Sequence, residues 1–176
     1  MKYNQIVILF FVGTVMAVSG YAVQDVDLEL HMPGHYFIPG NECYLDLHMD
    51  NIGPAYNNAS VFIALDIGVG QYWFSPSWRQ FPGGIDYHSV NIPGGSSQTI
   101  PILPFFVWPE GAGTYLGANF ITAATSANGT LISDVDIYPF GWMEGPAISD
   151  IAPQAAAPGR TFWLYGMGLG GDYTDI

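Results

Sequence analysis

The chain has 176 residues, with 15 acidic side chains against three basic ones and a net charge of −12. Such a charge repels phosphate backbones and anionic lipid surfaces, which argues against nucleic acid and membrane surfaces as partners. Yet 49% of the residues are hydrophobic and only 10% charged, so the chain is no acidic disordered tail and has the apolar material for a core.

Residues 1–22 read as an export signal. Lys2 gives a positive start, Ile6 to Val18 is an apolar run broken only by Gly13 and Thr14, and Gly20 and Ala22 put small residues ahead of a cleavage point before Val23. The run is short for a membrane span of about 20 residues. The expected mature chain is therefore secreted, displayed at the cell surface or held in the periplasm, with no membrane insertion after cleavage. It keeps Arg79 and Arg160 as its only fixed cations against all 15 carboxylates, a net charge of −13. Cys43 is the single cysteine and cannot form a disulfide within the chain. It reads as a small buried hydrophobe, with a bond to another chain as the alternative. The mature chain must hold together by packing.

With 22 Gly, 13 Pro and 15% aromatics, the composition favours strands and turns over helices. The first expected strand, Asp25–Met32, alternates Val26, Leu28, Leu30 and Met32 with Asp25, Asp27, Glu29 and His31, the pattern of a sheet with one wet face. After turns at Pro33-Gly34 and Pro39-Gly40-Asn41, residues Glu42–Asp50 alternate Cys43, Leu45, Leu47 and Met49 with polar neighbours. Residues 60–67 are nearly all apolar, as in a central strand covered on both faces, and Gln71–Phe74 can continue that strand. A short strand is expected near Ile85–Ile92. Ser97–Val107 contains Pro101 and Pro104, which mark an edge or a bulged strand. Thr114–Thr125 and Thr130–Tyr138 flank Asn128-Gly129, a hairpin turn signal. About seven strands in this length fit an all-β, immunoglobulin-like β-sandwich over residues 23–142. Residues 143–176 then hold two more strands, Ala147–Ala152 and Thr161–Tyr165, too little to bury a core alone. They are expected to be either part of a second β unit or a tail packed on the first.

Two resemblances add context. Pro146, Ile148, Ile151, Pro153, Pro158-Gly159, Phe162, Leu164, Gly166, Gly168 and Gly170 resemble the opening of an IPT/TIG domain, with Ala155 or Ala156 where a glycine is usual. This implies an immunoglobulin-like unit of the spacer, adhesive or glycan-associated kind. The larger unit is similar to a recurrent module of secreted bacterial proteins. The similarity rests on Tyr36 with Pro39-Gly40 and Cys43, Asn51-Ile52-Gly53, Leu65-Asp66, the run Tyr72–Trp78, and Phe106–Pro109. The early turn, paired strands and Asn-x-Gly loop also look like adhesion domains of the CARDB kind. None of these resemblances implies a catalytic residue.

Candidate chemistry is sparse. His31, His35, His48 and His88 lack a companion Cys or Glu motif for zinc, although His31 and His48 fall on adjacent expected strands. Asp25, Asp27 and Glu29, or Asp134 and Asp136, offer paired carboxylates for calcium or glycoside hydrolysis, but alternation on a wet face explains them as well. No Gly-x-Ser-x-Gly elbow is present, and the Gly166-x-Gly168-x-Gly170 run reads as a turn. The remaining set is aromatic. Tyr72, Trp73, Trp78 and Trp108 could stack on sugar rings as a ligand-binding site, or fill the core and pin loops. No metal or cofactor is expected. The leading expectation is a non-catalytic structural or adhesion module of a larger exported bacterial protein. Its partners would be a surface glycan or neighbouring domains of the same protein. A carbohydrate-binding module is the first alternative and a small secreted hydrolase the second.

Overall fold

The computed structural model describes residues 24–68 and 70–145, together with the backbone of 147–152 and 163–167; the expected export signal and the Pro158-Gly159 turn lie outside the described residues. In chain order the strands are β1 (Val26–His31), β2 (Tyr36–Phe37), β3 (Glu42–Asn51), β4 (Tyr56–Asp66), β5 (Tyr72–Phe74) and β6 (Arg79–Gln80). They continue as β7 (His88–Ile92), β8 (Ser96–Val107), β9 (Tyr115–Thr125), β10 (Asp136–Trp142), β11 (Ala147–Ala152) and β12 (Trp163–Met167). Among the described residues there is no helix. One sheet has the order β1-β3-β8; the other runs β2-β10-β9-β4-β5-β6, with β7 also paired to β4; β11 and β12 form a separate antiparallel pair. The fold is an all-β sandwich.

Period-two alternation sets the inner faces. In β1, Val26, Leu28 and Leu30 are buried while Asp27, Glu29 and His31 are exposed, and β3 repeats this with Cys43, Leu45, Leu47 and Met49 inside. These side chains meet Ala59, Val61 and Ile63 of β4 and Ala118, Phe120 and Ala124 of β9 in one apolar cluster. Each Val, Leu, Ile, Phe or Met side chain among them contributes about 1.5–3 kcal/mol on leaving water. β4 is covered on both faces, as expected. Val61 and Ile63 face the cluster, while Phe62 and Ala64 are buried on the opposite face with Phe74. Tyr87 covers that second face, its ring 5.5 Å from that of Phe62.

β8 is an edge strand with shifted register opposite Cys43 to Asp46, the outcome that Pro101 and Pro104 imply. The sandwich sheets hold ten strands, more than the period-two pattern suggests. The additional ones are the two-residue β2 and β6, too short to carry a hydrophobic period, and β5, where Gln71–Phe74 turns back antiparallel to β4 instead of continuing it. The Asn128-Gly129 turn forms, with Gly129 at φ 84°. The return strand begins only at Asp136, however, because residues 131–133 bridge two neighbours. Ile132 donates its N–H to Ala124 of β9 and accepts from Val26 of β1. The Asp136 carboxylate then accepts the Leu30 N–H at 2.8 Å, closing the edge of β1.

Two devices join the sheets. The first is a chain of rings. Trp78 lies edge-on to Phe120 at 6.1 Å, and Phe120 stacks on Phe140 at 4.7 Å. Phe140 meets Trp142 at 6.0 Å and Trp142 meets Trp108 at 5.4 Å. Trp108 also stacks on Phe37 and tilts against Phe106 of β8. The second is Asn51, which is 2% exposed. Its amide donates to the carbonyls of Pro54 and Pro93, and its carbonyl accepts the Gly53 N–H. Gly53 must be glycine there, because a Cβ would collide with the Asp25 side chain.

Cys43 is fully buried, and burial pushes its thiol up to about 11. In the native protein it should resist a thiol reagent at pH 8 and react only as denaturant opens the fold, which a time course of labelling will show. Replacing Phe120, 3% exposed, by alanine should cost about 3–5 kcal/mol in denaturant unfolding. The same truncation at Ile52, 77% exposed, should stay within about 0.5 kcal/mol.

Candidate functional site

The aromatic candidates divide into two groups. Tyr72 and Trp73 lie on β5, registered against Asp66 and Leu65 of β4, and Trp73 is also paired with Gln80 of β6. Trp78 closes the turn between β5 and β6. Tyr72, Trp73 and Trp78 are thus brought together at the β5–β6 end of the larger sheet. Trp108 is not with them. It lies where β8 ends, hydrogen-bonded through its backbone to Gly40 and Asn41, inside the ring chain.

Their surroundings differ in a way that decides what each can do. All three tryptophans are half-buried, but Trp78 and Trp108 pack against the central cluster, whereas Trp73 lies outside it. The Trp108 indole N–H is buried without a partner among the described residues, so its polar tip is turned away from solvent. Trp78 has φ 51°, a left-handed conformation that a bulky residue adopts at a cost of about 1–3 kcal/mol. Its contact with Phe120 offsets part of that cost. Burial, with the Asp66 carboxylate as a lesser cause, raises the Tyr72 pKa above its ordinary value, so this hydroxyl keeps its proton.

The segment that follows holds a serine–histidine pair that the sequence pattern does not reveal. Ser75 Oγ lies 2.9 Å from His88 Nε2, and the Ser75 N–H donates to Ile63 O at 3.0 Å. Ser75 is 1% exposed. Burial lowers the His88 pKa, with nearby Asp86 opposing the shift. The Asp86 carboxyl is held below its usual range chiefly by a hydrogen bond from the Ser77 side chain. It also accepts the N–H groups of Ser77 and Tyr87. The hydroxyl is therefore shut from solvent and the carboxylate is engaged by the turn, an arrangement that anchors the loop to β4 rather than presenting a nucleophile.

A second histidine cluster lies on the outer face of the three-stranded sheet. His48 Nδ1 is 3.0 Å from Thr99 Oγ1, and its Nε2 is 3.1 Å from Ser97 Oγ and 3.3 Å from Asp50 Oδ2. Serine and aspartate share one ring nitrogen and the threonine hydroxyl takes the other, on an exposed strand face. His31 stands opposite Asp46 and His48 opposite Glu29; the two histidines share a face without pairing. His35 bonds Pro139 O and stacks on Tyr138. Among the described residues no three His, Cys, Asp or Glu side chains gather where a metal ion could sit. Asp25 is hydrogen-bonded by the Tyr56 hydroxyl, and Asp136 closes β1.

No family model matches the chain, and no curated protein does. Among solved structures, it is similar to the sporulation control protein Spo0M of Bacillus subtilis, at 12% identity and a TM-score of 0.42, over 73% of this chain and 59% of that one. It is also similar to AvmM, described as catalysing macrocyclization in alchivemycin A biosynthesis, at 12% identity and a TM-score of 0.46, over 72% and 93% of the two chains. A third is a β-glucosidase from Listeria innocua in complex with glucose, at 14% identity and a TM-score of 0.37, over 70% and 17%. These likenesses bear on neither activity nor ligand.

The His88 environment gives a pH dependence. Its folded pKa lies below the unfolded value of 6.5, so the unfolded chain binds the proton first. Stability is full above pH 6.5 and falls as the pH drops below it. The Asp86 shift acts only lower, below its ordinary 3.8. Urea midpoints between pH 7 and pH 5 should therefore decline, and His88→Asn should flatten that decline; an unchanged slope would place the titrating group elsewhere.

Proposed function

We propose that the chain is a non-catalytic structural or adhesion module of a larger exported protein, acting outside the cytoplasm. The observation that carries this reading is how the aromatic side chains are used. Trp78 and Trp108 belong to the ring chain that ties the two sheets together, and the polar tip of Trp108 is buried. Side chains spent on joining sheets leave little for a substrate. The Ser75–His88 contact supports the same reading, because its hydroxyl is occluded. Export rests on residues 1–22. The antiparallel β11–β12 pair supports a β unit of the IPT/TIG kind.

A second reading, carbohydrate binding, is favoured by one observation. Trp73 is partly exposed, lies outside the central cluster and stands opposite Gln80 on the same sheet face. That pair offers a flat ring with an amide beside it, elements of sugar stacking. Affinity electrophoresis of the mature chain through gels of soluble polysaccharides separates the readings. The structural module migrates unretarded, and Trp78→Ala lowers its stability by about 1–3 kcal/mol. Retardation abolished by Trp73→Ala, in a variant that still unfolds cooperatively at the wild-type midpoint, would overturn it in favour of glycan binding.

A further inference from the structure

Two Asn-x-Ser/Thr triplets occur in the chain, Asn58-Ala59-Ser60 and Asn128-Gly129-Thr130, far apart in sequence. The fold brings them to one end. Ser60 of β4 stands opposite Thr125 of β9 in antiparallel register. Following β4 backward to Asn58 and β9 forward to Asn128 therefore leaves the sheet in the same direction. Both asparagines are exposed. Asn58 sits where the β4–β7 register shifts between Tyr56 and Ala59, with φ 55°; the extra residue of that irregularity pushes it out from the ladder. Asn128 lies in the turn, with Gly129 and Thr130 exposed beside it. Its Oδ1 accepts the Thr130 N–H at 3.2 Å, so the carboxamide is held next to the third residue of its own triplet. The opposite end of the sheet carries Trp142 and Tyr115, whose rings touch, and no such triplet.

We infer that this end of the sandwich is an N-glycosylation site, with Asn128 the principal acceptor and Asn58 the second. The inference rests on the export reading above, because the donor is met only on the exporting route. In the reaction Asn128 Nδ2 attacks the anomeric carbon of a lipid-diphosphate-linked oligosaccharide. The new N–C1 bond forms as the C1–O bond to the diphosphate breaks. The lipid diphosphate leaves with the electron pair, and the amide proton passes to a base of the transferase. Asn128 ranks first because its whole triplet is accessible in the folded chain. Ala59 is buried and Ser60 lies within the β4 ladder, so Asn58 is open only before folding is complete.

The test is the intact mass of the full chain, produced with its export signal in a host that transfers lipid-linked oligosaccharide to asparagine and recovered after export. The expected product begins at Val23 and carries a glycan increment that Asn128→Gln and Thr130→Ala each remove and Thr130→Ser keeps. A second, lower-occupancy increment is removed by Asn58→Gln. An exported chain beginning at Val23 with the bare polypeptide mass overturns the glycosylation inference and leaves export intact. A glycan at Asn58 alone overturns the ranking. A chain retained in the cell with residues 1–22 attached overturns the export reading and this inference together.

Discussion

The chain has to join two sheets without a disulfide and almost without ion pairs. Its one cysteine is buried and free, and among the described residues the only side-chain ion contact is His48–Asp50 on an exposed face. Such exposed pairs contribute little. Cohesion falls to apolar contact, in the buried cluster and in the ring chain that runs from Trp78 to Phe106. It begins on the β5–β6 turn, crosses β9 and β10, and ends on β8 of the other sheet. Offset and edge-on ring pairs add about 0.5–1.5 kcal/mol beyond the area they bury. A linked set also fixes the position of one sheet over the other, which a layer of small aliphatic side chains would leave loose.

This constraint explains which features were legible in the sequence. The inner faces of β1 and β3 were, because alternation of Val26, Leu28 and Leu30 with acids has only one consistent burial in a two-layer fold. So was the double burial of Val61 to Ala64, where alternation is missing. The role of the tryptophans was not, because a ring bound for the sheet interface and a ring bound for a sugar have the same composition and the same proline neighbours. Trp78 shows the difficulty: its place is set by a left-handed backbone and by Phe120, more than forty positions away in sequence. The Ser75–His88 contact was equally hidden, since it depends on a loop folding back on β4. β2 and β6 could not be read because two residues carry no period.

The loop between β5 and β7 shows how buried polar groups serve a fold with few charges. Ser75, His88, Asp86 and Ser77 form local contacts that hold the loop and Tyr87 over Phe62 and Ala64. A buried hydroxyl left without its imidazole would cost about 1–3 kcal/mol, so the pair selects one placement of the loop among many that would bury the same rings. Asn51 does the same for the loops after β3 and β7. Polar groups here choose the register, and apolar groups supply the stability.

The register of β4 against β9 also gives the sandwich two unlike ends. Toward Asp66 and Asn119, the Tyr115 hydroxyl bonds the Ile67 carbonyl, and Trp142 donates its indole N–H to Ala112 O at 3.1 Å. At the same end β2 clamps β10, through Gly141 N–H to His35 O at 2.8 Å and Met143 N–H to Phe37 O at 3.0 Å. Met143 is itself 4% exposed. The chain therefore leaves toward β11 from a packed and hydrogen-bonded corner of the fold. The other end is built from polar turns around Asn58 and Asn128. The structural module proposed above would need this division. Its point of attachment must be stiff for orientation to pass along the chain, and its remaining surface must be hydrophilic enough that copies do not adhere to one another. The aromatic corner meets the first requirement. The exposed asparagine turns, with the acidic outer face of β1 and β3, meet the second.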